Sequence, residues 1–138
     1  MEITMKLTGG CYCGALRYEI SGDIPMRALC LCKTCQRISG GAGNLFLGIE
    51  AKFFMYSKGA PRTFALSDDT PIREFCGDCG VHITARSPKL PEGLVVKVGT
   101  LDDPSAFEGP AAVYWASEKQ DYHVFPEGIP VFASLPGR

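Results

Sequence analysis

The 138-residue chain is 46% apolar and 21% charged with a formal net charge of −1, values of an ordinary globular domain that leave no basic field for nucleic acid or an anionic membrane. One domain over residues 1–138 is expected, with a core that takes about 65 to 70% of the unfolded chain's surface out of water. The opening Met1-Glu2-Ile3-Thr4-Met5-Lys6 has no basic start before an apolar run, and no stretch reaches about 18 apolar residues, so a soluble, cytoplasmic protein is expected.

Sixteen Gly and ten Pro are spread along the chain and cut it into short pieces. In chain order, alternating, β-branched or aromatic segments at 16–20, 45–49, 53–56, 72–75, 82–85, 94–98, 113–115 and 122–125 read as strands. Two helical turns are expected. One covers 33–38, behind a cysteine cluster, and the other 104–107, where Asp102 or Asp103 can cap the start. The class is mainly β, a single domain whose short sheets need stapling by metal.

Seven cysteines are an odd number for a disulfide framework, and a cytosolic chain keeps its thiols reduced. Metal is the better use of them, since structural zinc supplies about 10 to 16 kcal/mol to folding against about 2 to 4 for a disulfide. Cys11-Tyr12-Cys13-Gly14 and Cys76-Gly77-Asp78-Cys79-Gly80 each set two thiols on a turn followed by glycine. Together they supply the four ligands of a closed, structural zinc site. A redox Cys-x-x-Cys is the alternative, and the βαβ context it calls for is missing.

The remaining Cys30, Cys32 and Cys35 fall within six residues. Three thiolates leave one coordination position for water or substrate, the mark of catalytic zinc. Other uses stay open: His82 or His123 could close the site, the thiols could stand empty or hold an iron–sulfur cluster, and the two cysteine sets could exchange partners. Two zinc ions per chain is the expected load.

Several motifs then act together. They are Gly10-Cys11-Tyr12-Cys13-Gly14-Ala15-Leu16-Arg17-Tyr18, Cys30-x-Cys32-x-x-Cys35 with Ser39-Gly40, Phe75-Cys76-Gly77-Asp78-Cys79-Gly80, Gly99-Thr100-Leu101-Asp102-Asp103-Pro104 and Glu127-Gly128-Ile129-Pro130-Val131-Phe132. In this order, over about 9–132, the chain resembles the glutathione-dependent formaldehyde-activating (GFA) enzymes, a family that includes centromere protein V. The resemblance implies a β-tent of several coiled antiparallel sheets. It also implies a structural zinc on Cys11, Cys13, Cys76 and Cys79, and a catalytic zinc on Cys30, Cys32 and Cys35. The implied reaction is that of a carbon–sulfur lyase, joining the thiol glutathione to the aldehyde formaldehyde as S-hydroxymethylglutathione. The chain departs from the common pattern at Leu31, where many members have His, at Gln36, with Arg37 one place later, and at Tyr122 in place of a late tryptophan. A zinc-stapled binding module and a thiol redox or metal-buffering protein are the alternative functions.

Arg37, Arg73, Arg86 and Lys119 are candidates to hold the carboxylates of a glutathione-like ligand, Arg37 first because the metal cluster fixes its neighbourhood. His123, alternating with apolar neighbours, and His82 are candidate bases. Ser39, Gly40 and Gly41 present N–H groups either to a substrate oxygen or to a plain helix stop. Trp115 and Phe54 read as core rather than pocket wall. Asp102 and Asp103 read as a turn bonding its own backbone.

Overall fold

The computed structural model of the chain describes residues 6–136. Within them the strands, in chain order, are β1 (Lys6–Gly10), β2 (Arg17–Ser21), β3 (Met26–Cys30), β4 (Asn44–Glu50), β5 (Phe54–Lys58), β6 (Arg62–Phe64), β7 (Ile72–Phe75), β8 (His82–Arg86), β9 (Gly93–Lys97) and β10 (Ala112–Tyr114). A single α-helix, α1 (Lys33–Ser39), joins β3 to β4. One sheet runs β1-β2-β5 and the other β10-β3-β4-β9-β8-β7-β6. All pairs are antiparallel except β10 with β3. The mainly β, single-domain class expected from the sequence is the one observed. No helix of the described residues is long and apolar enough to cross a membrane.

The small sheet lies on one face of the large one. Alternation in β2 turns Tyr18 and Ile20 inward with Leu16, and they meet Leu47 and Ile49 of β4, Ile83 of β8 and Leu94 and Val96 of β9. Burial of each such side chain stabilises the fold by about 1.5 to 3 kcal/mol. Phe54 of β5 stacks on Tyr18 at 5.1 Å between ring centres. It is core, as the sequence suggested, and Trp115 packs with Phe46 and Tyr114 on the opposite face of the large sheet.

Polar ties cross the same interface. Glu74 of β7 accepts from Thr84 at 2.5 Å and from the Tyr56 hydroxyl of the small sheet at 3.1 Å, and Arg86 lies 3.3 Å from its other oxygen. Arg86 is thereby engaged within the fold. Asp103 bonds its own turn, accepting from the Ser105 N–H at 3.1 Å. Asp102 does something the local reading did not foresee: it takes both guanidinium nitrogens of Arg17 and the Thr8 hydroxyl, tying the 3-10 turn Val98–Thr100 region to β1 and β2. The Arg17 bonds, with that of Thr8, hold the Asp102 carboxyl down to about 2.

Gly9 faces Tyr18 across the β1–β2 pair. A Cβ there would sit 2.3 Å from both the Thr100 carbonyl oxygen and the Tyr18 hydroxyl. That hydroxyl is fixed, since it lies 2.7 Å from Thr100 Oγ1, which itself donates to the Lys97 carbonyl at 2.7 Å. Neither neighbour is a floppy side-chain end. Gly9→Ala is therefore expected to lower stability by about 1 to 3 kcal/mol, read as a lower urea midpoint at unchanged slope. An unchanged midpoint would show that the strand can move aside.

The strand expected at 122–125 is absent, and its residues form a turn and an irregular stretch. The aromatic alternation there reflects local bonding: His123 N–H donates to the Gln120 carbonyl, and Gln120 N–H donates to His123 Nδ1. This closes a turn, and Pro126 has no N–H for a ladder.

Candidate metal centres and their cavities

Cys11 and Cys13 follow β1, at the end of the small sheet, while Cys76 and Cys79 follow β7 of the large one. Their four sulfurs lie within 4.8 Å of one another. Cys13 is 3.7 Å from Cys11 and 3.7 Å from Cys76. Four sulfurs at the usual zinc distance stand about 3.8 Å apart in a tetrahedron, so this donor set fits the ion. Backbone N–H groups point at the sulfurs: Leu16 at Cys11 (3.2 Å), and Asp78 and Cys79 at Cys76 (3.4 Å each). Such bonds favour thiolates over thiols. Gly80, at φ 79°, lets its N–H return to the Cys76 carbonyl at 2.8 Å and closes the knuckle.

The second set is built on the β3–α1 junction. Cys30 ends β3, Cys32 is the N-cap of α1, and Cys35 lies in its first turn, with the Cys35 N–H 3.4 Å from Cys32 Sγ. The three sulfurs again lie within 4.8 Å, and among the described residues no fourth His, Cys, Asp or Glu joins the group. Hydrogen bonds from Cys30 and then Cys35 pull the Cys32 thiol well below its ordinary value. The Cys32 and Cys35 hydrogen bonds push the Cys30 thiol up, so Cys32 is the thiolate of the set.

Leu31 and Gln36 hold the junction. Leu31, fully buried, points into a core cluster with Leu29 and Val113, and its N–H donates to the Tyr114 carbonyl at 2.9 Å. Gln36 donates from Nε2 to the Leu31 and Glu118 carbonyls, 2.8 Å each, and Glu118 Oε1 accepts from the Lys33 N–H at 2.8 Å. Ser39 and Gly40 end the helix. The Gly40 and Gly41 N–H groups return to the Gln36 carbonyl and the Ser39 hydroxyl accepts from Gly43, so these groups serve the turn.

Both histidines are placed, neither beside the three thiols. His123 has each ring nitrogen on the backbone, Nδ1 accepting from Gln120 at 2.9 Å and Nε2 facing the Gly41 carbonyl at 2.6 Å, which makes Nε2 the protonated one. His82 stacks on Phe75, its Nδ1 is buried without a partner, and burial, then Lys97 and Arg73, lower its pKa.

Two cavities flank the junction. The larger, about 610 Å3, includes His82, Lys97, Ser39 and Asn44. The other, about 490 Å3, contains Cys30, Cys32 and Cys35 in its wall together with Asn44, Phe46 and Arg73. Arg37 and Lys119 are exposed and line neither. Lys97 escaped the sequence reading. It is mostly buried, which lowers its pKa, while Cys35 nearby acts in the opposite sense. Its signal was a lysine interrupting the apolar run Leu94-Val95-Val96-Lys97-Val98.

Comparison with solved structures finds a crystal structure of a Rhodobacter sphaeroides protein from a structural genomics programme. The two are 18% identical, with a TM-score of 0.60, over 91% of this chain and 98% of that one, a likeness of fold. A profile of the glutathione-dependent formaldehyde-activating enzymes matches residues 6–117, which contain all seven cysteines of the two sets, and the chain belongs to the glutathione-dependent formaldehyde-activating (GFA) enzyme family.

Proposed function

We propose that this chain is a zinc-dependent carbon–sulfur lyase that joins a thiol to an aldehyde, with glutathione and formaldehyde as the pair the family name carries. The observation behind the proposal is the three-thiol set with no fourth protein ligand among the described residues, in the wall of a cavity. Cys11, Cys13, Cys76 and Cys79 would hold one ion as a staple, and Cys30, Cys32 and Cys35 the other. A zinc ion on three thiolates, when bound, supplies a Lewis-acidic fourth position that favours thiolate over thiol and polarises a carbonyl.

The reaction itself is an addition. The thiol sulfur forms a bond to the aldehyde carbon, the carbonyl π bond breaks, and the sulfur's proton ends on the oxygen, giving a hydroxymethyl thioether with no redox change. The chain's part is to fix the sulfurs on a capped helix start, to put apolar walls around the reacting atoms and to place the Lys97 ammonium near an otherwise anionic cluster. His123, with both nitrogens on the backbone, positions the loop behind α1.

Cobalt in place of zinc gives a sulfur-to-metal absorption band that reports on coordination. Glutathione added to the cobalt protein is expected to shift that band saturably, and the shift should vanish in Cys35→Ser. A band indifferent at millimolar levels both to glutathione and to a simple alkanethiol would make the site closed and leave a zinc-stapled binding module as the function.

A further inference from the structure

The register of the large sheet lays out the floor of the three-cysteine cavity. Cys30 pairs with Asn44, Ala28 with Phe46 and then Lys97, and Met26 with Gly48, Val95, Ala85 and Arg73 in turn across five strands. Residues two apart on a strand share a face, so these three rows lie on the side away from the small sheet. Cys30 and Met26 are four residues apart on β3, about 13 Å. The cavity is long, with thiols at one end.

Its chemistry is uneven. Met26, Phe46, Val95, Leu90 and Leu135 give apolar walls, and the Met26 side chain lies over Gly48 on the floor. Of the charged residues in the wall, Glu50 at the rim is 3.4 Å from Lys52, which leaves Arg73. Among the described residues Arg73 makes no ion pair. Arg73 is then the surplus cation.

We infer that the cavity selects a thiol with a long apolar body and a single terminal carboxylate, the sulfur toward Cys30, Cys32 and Cys35 and the carboxylate on Arg73. The inference rests on the thiol–aldehyde reading of the same site and narrows its substrate. Glutathione fits this lining less well. Its two carboxylates, ammonium and two amides would lose water against Met26, Phe46 and Val95 with one guanidinium to meet them.

Isothermal titration calorimetry on the zinc-loaded 138-residue chain tests this with 8-mercaptooctanoate, 8-mercaptooctanol, octanoate and glutathione. The mercapto acid is expected to bind at least about tenfold tighter than glutathione. Arg73→Met should weaken the mercapto acid and octanoate by about tenfold, the loss of one charge-assisted pair, and leave the mercapto alcohol within about twofold. Arg73→Lys should recover part of the loss. Glutathione binding as tightly as the mercapto acid overturns the inference, as does an Arg73→Met protein that weakens acid and alcohol alike. Octanoate has no sulfur and separates the two readings. Arg73-dependent octanoate binding without any thiol response at the cobalt site sinks the lyase reading and leaves the carboxylate subsite standing. A cobalt response to glutathione with octanoate binding indifferent to Arg73 does the reverse.

Discussion

Cys76→Ser is expected to abolish the cooperative unfolding transition at 25 °C and to drop zinc content from two ions per chain to one or none. Cys76 is buried in the main core, receives N–H bonds from Asp78 and Cys79, and sits 3.7 Å from Cys13. Its knuckle belongs to the large sheet and its partners Cys11 and Cys13 to the small one, so an ion on the four thiols ties one sheet to the other. The interaction at stake, about 10 to 16 kcal/mol apparent, matches or exceeds the whole stability of a domain this size, about 5 to 15 kcal/mol. Other polar ties, such as the part-buried Tyr56 to Glu74 bond and the exposed Arg17 to Asp102 pair, contribute about 1 to 3 kcal/mol each at most and are too weak to replace it. Circular dichroism melts with metal analysis read the outcome. A sigmoidal melt within a few degrees of the parent protein would show that the two sheets hold together without this staple.

The seven thiols divide into four and three by sequence, because each set is local or a pair of local turns, and the two groups found in space have those members. Strands with aromatic or β-branched alternation were legible for the same reason: their signal is local. Those overlooked lack it. β1 ends in Gly9-Gly10, β3 begins with Met26-Arg27, and β6 has three residues whose partners are nine or more positions away. Sheet register is the part that no local pattern carries. Arg37 looked well placed because it follows Cys35 by two residues, but two residues on a helix turn the side chain through about 200°. It points to solvent, while Arg73 reaches the cavity across the sheet through Ala85 and Val95. Lys97, in register with Phe46, is likewise placed by the sheet and lines the neighbouring cavity.

Cys32→Ser separates chemistry from folding more cleanly than any other change at the second set. Cys32 is the N-cap of α1, and its sulfur accepts from the Cys35 N–H at 3.4 Å. Serine is among the preferred N-cap residues, so the helix keeps its cap while the metal site loses a thiolate. The ties that hold the junction, from Gln36 to the Leu31 and Glu118 carbonyls and from Lys33 to Glu118, do not involve Cys32. The variant should therefore melt cooperatively, hold one zinc instead of two, and catalyse S-hydroxymethylglutathione formation at less than about one hundredth of the parent rate, since even outer-shell changes at metal sites cost 10- to 100-fold. Exchange NMR of glutathione with formaldehyde measures that rate above the spontaneous background. Retention of both zincs with an undiminished rate would remove the reaction from this site. A collapse as complete as that of Cys76→Ser would make the second cluster a staple like the first, because an ion whose loss unfolds the chain is being used for structure.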